Sequence, residues 1–204
     1  MSTPTAIRII REEHQALSAM LSSVHLLLRQ HRQDGTPVRF DVLRAMLFYI
    51  DEFPERLHHR KESDLLFPLL RQRGASCTEA LDKLDRDHAA GERAIRNLEH
   101  ALLAYEMLGD ARRGTFEDAL ASYLEFYRAH MALEEQTVLP VAQKVLSEAD
   151  WQSLNAAFEA NRDPLTGHAP DTEYEALFSR IVRTAPSPWV TASGSTDRKS
   201  TRLN

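Results

Sequence analysis

The sequence has a single cysteine among its 204 residues, Cys77, which excludes an internal disulfide, and it reads as a reduced, cytoplasmic protein. Only seven glycines are present, and the long middle of the chain has no alternating apolar and polar runs. A strand-based fold would need both the turns and that period. Charged residues break every apolar stretch well short of the roughly 18 to 20 residues that a membrane-spanning helix requires. The N-terminus meets Arg8 before a signal core could form. A formal charge of -5 is mild, and the basic residues are scattered rather than gathered into a stripe, so no nucleic-acid partner is expected. Neither a glycine-rich phosphate loop nor a separate nucleophile is visible, which leaves any catalysis to bound metal ions.

What the chain does have is apolar residues at three- and four-residue steps, the period of amphipathic helices. Ile7, Ile10, His14, Leu17, Leu21, Val24 and Leu28 form one stripe, with a histidine inside it. A second run begins near Phe40 with Leu43, Leu47 and Ile50, is interrupted or restarted at Pro54, and continues through Leu57, His58, Glu62, Leu65 and Leu69 to Gly74. A third, from about Thr78 to Met107, buries Leu81, Leu84, His88, Ile95, Leu98 and Leu102. A fourth starts near Thr115 with Phe116, Leu120, Tyr123, Tyr127, His130, Glu134, Val138 and Val141 on its inner side. Four long helices with short connections predict an all-α, antiparallel up-down-up-down four-helix bundle over residues 1–147. Residues 148–184 form a helical extension packed on it, with Ser147 as an N-cap and the two short helices capping one end. Residues 185–204, rich in Pro, Ser and Thr, are expected to be a disordered tail whose end is a candidate non-native extension.

The spacing hides a repeat. His58 precedes Glu62 by four residues and Glu62 precedes Pro68 by six; His130, Glu134 and Pro140 keep the same steps. Upstream, His14 precedes His58 by 44 residues and His88 precedes His130 by 42. Four residues advance a helix by about 400°, so each His-x-x-x-Glu pair shares one face and reaches one point of the interior. His14, His58, His88, His130, Glu62 and Glu134 therefore converge on stripes that otherwise hold leucine and valine. Buried carboxylates are strongly disfavoured unless paired or bound to metal. Two ions about 3.5 Å apart, with both carboxylates bridging, would relieve that cost. Imidazole with carboxylate suits iron, zinc or manganese.

This ordered set, His14, HHRKE with LFP, His88, and HMALEE with VLP, resembles the hemerythrin-like, HHE cation-binding family over roughly residues 5 to 146. The resemblance implies a four-helix bundle around two non-haem irons, bridged by two carboxylates and an oxo or hydroxo group. It also implies binding of, or reaction with, oxygen, nitric oxide or peroxide. The oxygen carriers of that family have a second histidine four residues along their third helix, where this chain has Glu92. That residue either fills the second iron's remaining position or leaves it open. The carriers also space their last carboxylate five residues after the histidine, which would select Glu135; helix geometry and the repeat favour Glu134. An enzyme that detoxifies nitric oxide or peroxide, or donates iron for cluster repair, is an alternative, as is a metal-free helical interaction module.

Other residues have plainer readings. His59, about 100° round from His58, is either a ligand or an outer residue. His25 shares the inward stripe of His14 but lies about 16 Å along the axis, which suggests a buried or capping role. His31, His100 and His168 read as exposed. Tyr49 and Tyr127 read as packing residues, and Glu12, Glu13, Asp85 and Asp87 as parts of solvated faces. Cys77 reads as an ordinary thiol.

Overall fold

The computed structural model describes residues 3–160, 162–166 and 172–184, and among these it contains helices and turns but no strand. The expected tail 185–204 and His168 lie outside the described residues. No described helix is long and apolar enough to cross a membrane.

Four long helical units dominate. The first is Thr5–Asp34, closed by Gly35 in the left-handed region at φ 64°. The third is Thr78–Leu108. The second is continuous rather than interrupted: Phe40–Ile50 passes into a π-helical stretch Asp51–His58, an α-turn His59–Lys61, a second π stretch Glu62–Leu66 and a last α segment Phe67–Gln72. The fourth follows the same plan, with Arg113–Leu133, a π stretch Glu134–Val138 and Leu139–Val145.

Proline explains where the helices widen. It has no N–H to give to the carbonyl four residues back, and its ring collides with that carbonyl. For Pro68 and Pro140 the residues four back are Asp64 and Gln136, each inside a π stretch, where a wider turn relieves the collision. Pro54 lies inside the first π stretch and is accommodated rather than ending the helix. The widening also turns the apolar face of the second helix. Leu65, expected inside, is exposed, whereas Leu66, Phe67 and Leu70 are buried.

The first helix packs against the second and fourth units, and so does the third. Two apolar clusters fill the space between them. One is built from Leu17 to Leu28, Val42 to Ile50, Ile95 to Tyr105 and Phe116 to Met131. The other joins Ile7, Ile10, Phe67, Leu84 and Val138. The titratable residues 13–14, 58–62, 88 and 130–134 fall between these clusters along every helix.

The two C-terminal helices do not cap one end together. Glu148–Glu159, started by a capping box between Ser147 and Asp150, sends Leu154 and Phe158 into the second cluster. Glu175–Thr184 sends Phe178 and Ile181 into the first. Between them, residues 162–166 cross the level of the site. Arg162 Nη2 meets Glu12 at 2.5 Å, and the Asp163 N–H donates to Glu13 Oε1 at 3.2 Å.

Candidate metal centre

His14, His58, Glu62, His88, His130 and Glu134 are all buried, and the structure brings them together in two groups that could each hold a cation. One is His14, His58, Glu62 and Glu134; the other is His59, Glu62, His88 and His130. Within each group the ligand-capable atoms lie within 4.8 Å of one another. Glu62 stands in both, the position of a bridging carboxylate. Glu134, which the spacing suggested would bridge as well, stands only in the first group, where its Oε2 is 3.2 Å from His14 Nε2.

The polar atoms facing the centre are the ones without hydrogen-bond partners. They include Nε2 of His14, His58, His88 and His130 and both carboxylate oxygens of Glu62 and of Glu134. Some are near each other, with His58 Nε2 2.9 Å from Glu62 Oε1 and His88 Nε2 3.3 Å from Glu62 Oε2, yet none has hydrogen-bond geometry. An unsatisfied buried polar group costs about 1–3 kcal/mol. A concentration of them at one place fits a cation, which satisfies lone pairs from several directions at once.

The far side of the imidazoles is furnished instead. Nδ1 lies 2.8 Å from Glu135 Oε1 in His14, 2.6 Å from Glu13 Oε2 in His58 and 3.1 Å from Glu55 Oε2 in His59. His88 Nδ1 lies 2.8 Å from Ser63 Oγ, which donates onward to Asp85 at 3.2 Å. With the proton on Nδ1, each ring presents its Nε2 lone pair inward, the usual arrangement behind a metal-bound histidine. Glu13 and Asp85, expected on solvated faces, are thus partners of the site. Asp87 pairs with Lys83, with an oxygen 3.7 Å from His130 Nδ1, and Glu12 with Arg8 and Arg162.

The two groups differ in electrostatics. Burial opposes charge on His14, but Glu134 and Glu135 outweigh it and raise that imidazole to about 9. His58 is raised as well, against burial, by Glu62 and Glu13. His59 is lowered by burial and by its neighbours His88 and His130. Burial and the nearby His88 likewise push His130 down to about 3. Glu134 is raised by burial and by the adjacent Glu62. His59 and His130 are therefore neutral imidazoles ready to donate lone pairs, while His14 and His58 hold protons that a cation must displace.

Both members of the HH doublet point inward because they straddle the inward direction, each about 50° from it, and so reach different groups. The doublet itself was the available signal, since the second copy of the repeat has Met131 in place of His59. Glu92 is exposed and pairs with Arg96 at 3.4 Å, away from the centre. Glu135 touches His14 from outside. His25 is exposed, because the buried stripe of the first helix follows Leu17, Leu21, Val24 and Leu28, closer to a seven-residue period that leaves His25 behind. Cys77 is buried, and burial raises its thiol.

Sequence reasoning missed Glu55 and Gly91, and it placed Tyr123 on the inner stripe without its role as a partner of Glu55. Glu55 is buried, its carboxyl pushed up to about 7 by burial even though both tyrosines donate to it, Tyr123 at 2.7 Å and Tyr127 at close range. Tyr127 stacks on His59 with ring centroids 5.7 Å apart. Gly91 makes room for this cluster, since a Cβ there would stand 2.7 Å from Tyr127 Oη and 2.8 Å from Glu55 Oε2. Alanine normally favours a helix over glycine by about 1 kcal/mol. Here Gly91→Ala should instead destabilise by about 1–3 kcal/mol through overpacking, read as a lowered Tm; an unchanged or raised Tm would show that the cluster tolerates a methyl.

Residues 5–142 match the hemerythrin HHE cation-binding domain. The chain belongs to the hemerythrin HHE cation-binding family. The curated relatives of this hemerythrin-family chain include uncharacterized proteins of Mycobacterium bovis and of two strains of Mycobacterium tuberculosis. Each is 25% identical over 166 residues, covering 81% of this chain and 64% of the relative. The hemerythrin-family chain thus spans a little under two thirds of the length of those relatives. No solved structure matches it.

Proposed function

We propose that this chain is a non-haem di-iron protein, a four-helix bundle of up-down-up-down topology that binds or reacts with oxygen, nitric oxide or peroxide in the cytoplasm, in sensing, storage or a stress response. Residues 1–147 are the bundle and 148–184 an extension along it. His14, His58, Glu62, His88, His130 and Glu134 are the ligands, and His59 joins them, which brings the imidazoles to five. The observation that carries this reading is Glu62, fully buried, with neither oxygen hydrogen-bonded and a place in both groups.

Bound there, a pair of irons supplies redox-active positions for a diatomic molecule or peroxide. The chain's own residues do the rest. Glu13, Glu135, Glu55 and Ser63 hold the outer ring protons of His58, His14, His59 and His88 and fix those four imidazoles. A cavity of about 10 Å³ beside His14, His58 and His59, walled by Leu17, Phe53, Leu57 and Met131, has room for about one water-sized molecule. At that size it leaves no room for bulk solvent.

Anaerobic titration of the iron-loaded protein with nitric oxide tests the reading. A saturable absorption change is expected, and its absence from protein that has taken up iron would refute a gas-binding role. Sustained consumption of peroxide with an added electron donor would instead mark an enzyme.

A further inference from the structure

The inner cavity has an outer counterpart. Between the first and fourth helices lies a surface groove of about 440 Å³, lined by His14, Gln15, Ser18, Arg128, Met131, Ala132, Glu135 and Gln136. Only His14 and Met131 belong to both the groove and the cavity. His14 is fixed, with one ring nitrogen on Glu135 and the other beside Glu134. Met131 packs at the edge of the first apolar cluster, and the polar contact it makes is weak, the Ser18 hydroxyl donating to its Sδ at 3.8 Å. Methionine has three rotatable bonds and no branch, so it can swing where a leucine or histidine could not.

The repeat gives an independent reason to look at this residue. Met131 follows His130 as His59 follows His58, so the side chain that is an inward imidazole in one half of the fold is a thioether in the other. The cavity lies on that side. The geometry points to Met131 as the gate of the site: a small neutral molecule or anion, of the size of a diatomic gas or azide, enters from the groove past its side chain and reaches the cavity beside His14 and His58. This inference rests on the di-iron reading for its ligand, but the passage itself belongs to the polypeptide. The cavity holds about one water, so a slightly longer ligand needs Met131 to move.

Azide association with the iron-loaded protein, followed by stopped-flow absorption, tests the gate. Met131→Ala should raise the association rate by about tenfold, and the dissociation rate with it, leaving Kd within about twofold, because removing a gate lowers a barrier common to entry and exit. Ala132→Trp, which fills the groove from its half-buried rim, should slow both rates and decides the question if Met131→Ala does not fold. Relaxation of the Leu17 and Leu57 methyl resonances by dissolved oxygen, measured on metal-free protein, should rise in Met131→Ala and fall in Ala132→Trp. That readout survives if the iron assignment fails. Unchanged rates and relaxation in both variants would overturn the gate. So would a greater acceleration in Asp163→Ala, which opens the cavity toward residues 162–166 instead.

Discussion

Glu62→Gln is expected to lower the iron content from about two per chain to near zero, because a neutral amide cannot bridge two cations and this carboxylate is the one residue common to both groups. The substitution keeps the shape of the side chain, so loss of metal is not a consequence of a cavity. Glu135→Gln is the matched control. It removes only the charge of the outer partner of His14, 2.8 Å from Nδ1, and should weaken metal binding by no more than about 10–100-fold without emptying the site under excess iron. If Glu62→Gln kept both irons, the shared-carboxylate arrangement would be wrong.

His59→Ala should leave about one iron per chain, since it strips an imidazole from one group only. The loss there should exceed the roughly 10–100-fold that removal of an outer partner costs. Glu92→Ala, on an exposed side chain paired with Arg96, should keep both irons. Iron content and visible absorption of the two variants, prepared side by side, separate these outcomes. Equal loss in both would restore Glu92 to the site, and no loss in His59→Ala would return His59 to an outer role.

Much of this was legible in the sequence because helical period and metal chemistry both leave marks at fixed steps. The apolar inner stripes of the first and third helices needed little more than helical periodicity, and their apolar residues and lone histidines, His14 and His88, are buried, whereas His25, placed on the first stripe, is exposed. Six of the seven proposed ligands emerged because histidine and glutamate are conspicuous among leucines and because the two halves repeat. Legibility failed where the helix is not an ideal α-helix. Past Glu62 the π turn rotates the face, so Leu65 is outside and Leu66 inside. His59 was obscured by treating the centre as a point, whereas two groups side by side accept neighbours on one turn. Glu13 was taken for a surface charge because its partners, His58 and the Asp163 N–H, come from distant parts of the chain. Glu55 and Gly91 were hidden for the same reason.

The arrangement also explains why the extension matters to the site. Glu13 receives His58 on one oxygen and the Asp163 N–H on the other, so residues 162–166 help set the orientation of a proposed ligand. Tyr49 donates to Asp163 in turn, anchoring that segment in the core. Burial raises the Asp163 carboxyl to about 6, in keeping with its enclosure.

The most direct test of the central claim is elemental analysis of untagged protein purified without chelator. The account predicts about two iron atoms per chain. No metal bound after anaerobic reconstitution with ferrous iron would contradict it and leave a helical interaction module.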